Sequence, residues 1–332
     1  MSRRALIVGI DNYNNVPNLT GCVADAKSVE QLLKRNQDGT PNYECRLVSA
    51  STDIGTTVSR AELRAASQDL FTDFTGEVLL YFSGHGALTA NGGYLGTSDA
   101  VLNDVGVPMQ EVLQLAYQSR AADILLVLDC CHSGDMGNPP VMNTGGAGSP
   151  LAALRENMTI IAAARDTQPA VEYGGHGLFT GVLLDALDGG AADHMGWVTC
   201  PAIYSYVERH FGAWEQRPVY KSHTTGVSII RKCAPLIERV KLVELERLFP
   251  DPHHRLQLDP EYEPEDEHGN VREPVDHEKV AVAKLLKKFR DVGLVRATEE
   301  DEQLFWTARR GHTVELTLRG REYWRLVHFG RV

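Results

Sequence analysis

The chain has 332 residues, 43% of them hydrophobic, enough for one large domain with a real core and a smaller second one. A formal charge of -11 argues against a generic nucleic-acid coat, because phosphate binding needs clustered lysine and arginine. No apolar stretch reaches the roughly 18 to 20 residues that span a bilayer, the opening MSRRALIVGIDNY turns polar too soon for a secretory signal, and the six cysteines show no disulfide-framework spacing, so a cytoplasmic protein with mostly reduced thiols is expected.

In chain order, RALIVGI reads as a strand, ADAKSVEQLLKR as a helix, CRLVSA as a strand and RAELRAASQDLF as a helix. EVLLYFS, the helical MQEVLQLAYQS and the strand DILLVLD follow, and then MTIIAAA as a strand, GLFTGVLLDAL and PAIYSYVERHF as helices, and VSIIR as a closing strand. This alternation predicts an α/β fold with a largely parallel sheet of about six strands and helices on both faces. Between the fourth and fifth strands, SGDMGNPPVMNTGGAGSPLAALRE is rich in Gly, Pro and Asn and reads as a long loop. Residues 1–233 form the expected sheet domain and 234–332 a C-terminal regulatory or interaction domain, with an acidic linker over about 251–276. After that linker, the basic helix HEKVAVAKLLKKFRDVGLV and two strand-like runs, QLFWTA and TVELTL, suggest a small α+β module of winged-helix-like pattern. The local basic character of ARRGHTVELTLRGREYWRLV allows DNA contact, but many such modules bind only protein, and nucleic acid is not the favoured partner.

In open α/β sheets reactive groups collect outside the carboxyl ends of the strands. EVLLYFSGHG and DILLVLDCCHSG place His85 and a cysteine at two such ends. A thiol of ordinary pKa is only slightly ionised at neutral pH, so a nucleophilic cysteine needs a base, and His85 can supply one. Amides near Gly86 and Cys131 are candidates to face a developing oxyanion. Strand alternation points Asp129 and Cys131 one way and Cys130 the other, which makes Cys131 the candidate nucleophile and Cys130 a small core residue. A single cysteine at a strand end is more often core than catalyst, and a histidine between glycines is more often a turn residue; their pairing at two strand ends is what favours catalysis. A metal site of Cys130, Cys131 and His132 is disfavoured, since adjacent residues cannot all face one ion.

YFSGHG and LDCCHSG, with His85 preceding Cys131 by 46 positions, resemble the catalytic motifs of the caspase-like cysteine peptidases, closest to the metacaspase branch. In caspases the corresponding gap is about 50 residues. LTGCVADA near the N-terminus is similar to a metacaspase signature, and AAARDTQPAVE, GHGLFTGVLLDAL and QRPVY sit where that family places its later elements. The resemblance covers residues 3 to about 232 and looks like a bacterial-type member with an appended C-terminal domain.

The resemblance implies a cysteine endopeptidase acting through a thioacyl-enzyme. Caspases proper line their pocket with arginines, but this chain has no Lys or Arg from Ala65 to Ser119 or from Ala5 to Ala26. Metacaspases place acids there, and the matching positions are Asp25 and Asp129, which implies cleavage after Arg or Lys. Asp25 also suits a plain helix N-terminal acid, whereas a carboxylate inside an apolar strand, as at Asp129, is costly without a partner. Many metacaspases need calcium, but only Asp99 and Asp104 follow the histidine closely, few for an ion that takes 6 to 8 oxygens, so no cofactor is expected. The loop 135–157 carries one basic residue, Arg155, as a candidate activation cleavage site of a zymogen. Expected partners are protein substrates and an upstream activating protease or partner protein docking on the C-terminal domain, with no membrane, in a regulated defence pathway such as antiviral defence or in cell death. The alternative is a catalytically idle caspase-fold adaptor acting by protein contact.

Overall fold

The computed structural model describes residues 2–89, 92–101, 104–130, 154–163, 172–173, 176–211, 218–266, 268–271, 273–300 and 302–332. The chain enters on β1 (Arg3–Ile10), α1 (Cys22–Lys34), β2 (Glu44–Ala50), α2 (Arg60–Phe71) and β3 (Glu77–Ser83). A small antiparallel sheet of β4 (Gly86–Thr89), β5 (Gly92–Val101) and β6 (Asp104–Pro108) leads into α3 (Met109–Gln118), β7 (Asp123–Asp129) and β8 (Met158–Ala162). Next come β9 (Glu172–Tyr173), β10 (His176–Gly177), α4 (Leu178–Asp185), β11 (Trp197–Thr199), α5 (Cys200–Glu208), β12 (Val219–His223) and β13 (Ile229–Lys232).

The main sheet has six strands in the order β12-β8-β7-β3-β1-β2 among the described residues, all parallel except β12. Side-chain alternation divides its apolar residues between two cores. Leu6, Val8, Leu80, Phe82, Leu126 and Leu128 pack with residues of α2 and α3 on one face. Ala5, Ile7, Leu79, Tyr81, Leu125 and Val127 pack with α1, α4 and α5 on the other. By the same period, Ser83 and Asp129, paired in register at the ends of β3 and β7, belong to the α1/α4 face, whereas Cys130 lies in the α2/α3 core.

Helix α1 approaches this sheet end closely because residue 9 is a glycine. A Cβ there would collide with the Cys22 carbonyl and stand 2.6 Å from the Ala26 methyl. Asp11, just past β1, accepts from the Cys22 amide at 2.9 Å and the Val23 amide at 3.2 Å, so two otherwise orphaned N–H groups of the first turn are satisfied from outside the helix.

The chain divides into two compact units, one of Met1–Ala192 with Gly196–Ala234, the other of Asp193–Met195 with Pro235–Val332. The second contains α6 (Arg239–Leu242), α7 (Glu244–Leu248), β14 (Arg255–Gln257), α8 (His277–Asp291), β15 (Val295–Ala297), α9 (Leu304–Arg309), β16 (Thr313–Leu316) and α10 (Leu318–His328). Its antiparallel sheet runs β14-β16-β15 around a core that includes Phe249, Leu286, Phe289 and Trp324.

Four sequence expectations need correction. The sixth strand of the main sheet is VYKSH, not VSIIR: as an antiparallel edge strand, β12 is only partly buried and can be polar, whereas Ile230 of β13 is apolar because it fills the α4/α5 core beside the sheet. The segment after His85, read only for its acids, forms the β4–β6 sheet. QLFWTA contains helix α9 and is no strand; Leu304, Thr307 and Ala308 recur at helical spacing and are buried, although the aromatic pair between them suits a strand. The acidic stretch 251–276 is folded into the second unit. It contributes β14, and its Asp259 and Glu261 grip Lys279 at 2.6 and 2.5 Å while buried Glu263 holds Lys287 at 2.7 Å.

Replacing Gly9 with alanine is expected to destabilise the first unit by about 1–3 kcal/mol through overpacking. Chemical denaturation followed by α1-sensitive fluorescence labels would report it, and an unchanged midpoint would mean that α1 can move off the sheet freely.

Candidate active site

His85 follows β3 directly and its backbone is fixed from two sides. Its amide donates to the Tyr13 hydroxyl at 2.8 Å, and its carbonyl accepts from the Gly96 amide at 2.8 Å. A side chain at Gly96 would put a Cβ 3.1 Å from that of His85, so this close approach of β5 requires glycine. Burial pushes the Tyr13 phenol well above its ordinary range, which keeps it protonated. The Tyr13 and His85 rings lie 4.6 Å apart, and His85 Nε2 sits 2.8 Å from the Pro17 carbonyl oxygen. A carbonyl can only accept, so Nε2 carries the proton and Nδ1 is the basic nitrogen of the neutral ring.

Asp25 and Asp129 are both buried on the α1/α4 face of the sheet. Asp25 stands in the first turn of α1, but Asp11 has taken that role of helix-end acceptor. The Asp25 carboxylate turns instead to the start of α4, where Oδ1 accepts from His176 Nδ1 at 2.6 Å. Its Oδ2 lies 3.5 Å from the Ser83 hydroxyl. Burial, and secondarily the Asp129 charge, push the Asp25 carboxyl up to about 6, with the His176 hydrogen bond opposing both. Asp129 Oδ2 accepts from Thr180 Oγ1 at 2.7 Å, and that oxygen is 2.6 Å from the Tyr81 hydroxyl. Since the Thr180 proton goes to Asp129, the Tyr81 hydroxyl donates to Thr180. Burial, with the charges of Asp129 and Asp25 adding to it, raises the Tyr81 phenol far above its usual range and keeps that donor protonated.

The structure thus brings Asp25 and Asp129 together and places His85 two residues beyond Ser83, which touches Asp25. Gly86 opens β4, partly exposed. Cys131, and with it the proposed second oxyanion amide and the bulk of the 135–157 loop, lies outside the described residues. Cys130 is 1% exposed and packs in the α2/α3 core, as a small apolar residue would. Burial raises the Cys22 thiol well above its ordinary range, which disfavours it as a nucleophile.

Arg155 is held by carbonyls. Its guanidinium donates to Ala116, Ser119 and Ala121 oxygens at 3.1, 2.8 and 2.6 Å, closing the end of α3, so presenting it to a protease requires that cap to release. Asp99 accepts from the Arg60 amide and from Thr97 Oγ1, and Asp104 pairs with the Arg60 guanidinium at 2.5 Å. Among the described residues no group of three or more His, Cys, Asp or Glu could hold a metal ion, and no helix is long and apolar enough to cross a membrane.

Sequence reasoning passed over Tyr13, Thr180 and His176. Only the last left a readable signal: Gly-His-Gly at 84–86 recurs at 175–177. Ring-nitrogen NMR of neutral His85 is expected to show the proton on Nε2; a proton on Nδ1 would overturn the assignment of the basic nitrogen.

A search of curated proteins returned no match to the chain. The model of the caspase domain, peptidase C14, matches residues 2–228, from the second residue through β12, and so takes in the whole six-stranded sheet and every residue of the site. The chain therefore belongs to the caspase-domain family of cysteine peptidases and is a cysteine endopeptidase.

Proposed function

We propose that this peptidase cuts protein chains after arginine, and less readily after lysine, with Cys131 as nucleophile and His85 as its base. The observation that carries the specificity is the convergence of two buried carboxylates, Asp25 and Asp129, beside the strand end that bears His85. Two carboxylates can meet the fork of donors on a guanidinium with charge-assisted hydrogen bonds, whereas lysine brings a point charge. A substrate aspartate would add a third negative charge in a desolvated place.

In the reaction, His85 Nδ1 takes the Cys131 thiol proton as sulfur adds to the scissile carbonyl carbon. The oxygen, now negative, is met by the Gly86 and Cys131 amides. Collapse expels the amine, which leaves with the proton returned from Nδ1, and the acyl group remains as a thioester. Water, deprotonated by the same nitrogen, then adds to the thioester and releases the acid and the thiol. The Pro17 carbonyl holds Nε2–H throughout, so the ring needs no tautomer change between the two halves. The reaction is written without a metal: Asp99 and Asp104, the acids that follow His85 in sequence, are engaged by Arg60. The physiological setting is a regulated defence or cell-death pathway, with Arg155 the point at which the chain is cut for activation and the second unit the docking site of an upstream protein.

Fluorogenic peptides that differ only in Arg, Lys or Asp before the scissile bond test the specificity. Asp25→Asn or Asp129→Asn should lower kcat/KM on the arginine peptide by roughly 30-fold or more, in line with loss of a buried charge partner. Faster turnover of the aspartate peptide would sink the pocket assignment.

The catalytic pair has its own test in the same assay. Cys131→Ala and His85→Ala should each abolish turnover, Cys130→Ala should retain it, and a chelator should leave it intact. An inactive Cys130→Ala beside an active Cys131→Ala would reverse the choice of nucleophile.

A further inference from the structure

His176 has no part in the chemistry above, yet it makes a short polar contact to the proposed pocket. The imidazole Nδ1 lies 2.6 Å from Asp25 Oδ1, and the side chain stays 24% exposed where that of Asp25 is 3% exposed. Its support is slight: β10 is two residues long, pairs with β9 through His176 and Tyr173 and through Gly177 and Glu172, and runs at once into α4.

We propose that His176 is a positioning residue for substrate recognition, holding the Asp25 carboxylate in the orientation that receives the substrate's basic side chain. The inference rests on Asp25 and Asp129 forming that pocket. With Oδ1 tied by His176, Oδ2 faces Ser83 across a loose 3.5 Å contact and is the oxygen able to turn to an incoming donor. A carboxylate held by a charge-assisted bond loses little orientational freedom when the ligand arrives.

The same bond carries a pH signature. Among the described residues, the titratable groups facing Asp25 are His176 from β10, Asp129 from β7, Tyr81 from β3 and Cys22 on its own helix. Burial and Asp129 favour the protonated acid, and His176 favours the carboxylate. Cation binding needs the carboxylate and so is lost as pH falls through the Asp25 titration. Without the Nδ1 donor that titration moves to higher pH, and the loss of binding moves with it.

The experiment measures benzamidine binding to the full-length Cys131→Ala protein across about pH 5 to 8, and kcat and KM of the active enzyme on an arginine peptide, with His176 varied in both. His176→Ala should raise the benzamidine Kd and the KM by about tenfold, the scale of one hydrogen bond to a charged group, with kcat changed by less than about twofold. The acid limb of binding should move to higher pH. His176→Asn, whose amide nitrogen can replace Nδ1, should restore both quantities, and His176→Met, which keeps bulk without a donor, should behave like alanine if the alanine protein folds poorly. Unchanged binding in the Ala and Met variants overturns the proposal, and so does tighter binding, which would make His176 a competitor of the substrate. If the unvaried protein neither binds benzamidine nor prefers arginine, the pocket reading itself fails; if it does both while the His176 variants match it, the positioning role alone fails.

Discussion

Two like charges buried side by side are the constraint around which this site is built. A carboxylate removed from water loses several kcal/mol of solvation, and a second one nearby adds repulsion. The fold offsets this with hydrogen-bond donors: the hydroxyl chain from Tyr81 through Thr180 to Asp129, and the His176 ring on Asp25. His176 and Thr180 stand at the start of α4, where the helix dipole also favours negative charge. Among the described residues Asp25 is held by a hydrogen bond from a histidine and by no arginine or lysine, the condition under which a cationic side chain from outside has something to gain.

That arrangement depends on backbone registration more than on any side chain. Parallel pairing sets Ser83 opposite Asp129 and Gly9 opposite Ser83, so three strand ends are level on one edge. Gly9 lets α1 settle against that edge, and the Asp11 cap fixes where the helix begins. Shift β7 by one residue and period-2 alternation would send Asp129 into the α2/α3 core and Cys130 toward the acids. The near-continuous apolar runs of β1, β3, β7 and β8 leave little freedom for such a slip, because each strand fills two cores at once.

What could be read from sequence follows the same division. Strongly apolar parallel strands and amphipathic helices announce themselves through period, and RALIVGI, EVLLYFS and DILLVLD lie where that period predicts. Edge elements do not: VYKSH is polar because one side of an edge strand meets solvent, and VSIIR is apolar for reasons of core filling outside the sheet. In the second unit, burial at 304, 307 and 308 outweighed the strand propensity of Phe305 and Trp306. The acids of 251–276 looked like linker because composition cannot reveal that lysines about twenty residues on, on α8, will pair with them. In the site, a carboxylate at the end of an apolar strand was conspicuous at Asp129. Tyr13 and His176 were not, since each matters through a contact made 72 or 151 residues away along the chain.

The proposed recognition and chemistry are linked by a very short path. Ser83, at 3.5 Å from Asp25, and His85, whose Nδ1 is the basic nitrogen, are separated by one glycine at the end of a single central strand. Both are held from outside that strand, Ser83 by register with β1 and β7, and His85 by Tyr13, Pro17 and Gly96. Under the proposed specificity, a substrate whose basic side chain is drawn to the carboxylates is registered against a rigid segment that also fixes the proposed base. Binding energy from a part of the substrate that does not react then restricts the position of the part that does, which lowers the barrier only if the connecting backbone cannot yield. The two flanking strands and the glycine-dependent contact from β5 make yielding costly, so side-chain recognition at this pocket should appear in kcat as well as in KM when the acids themselves are lost.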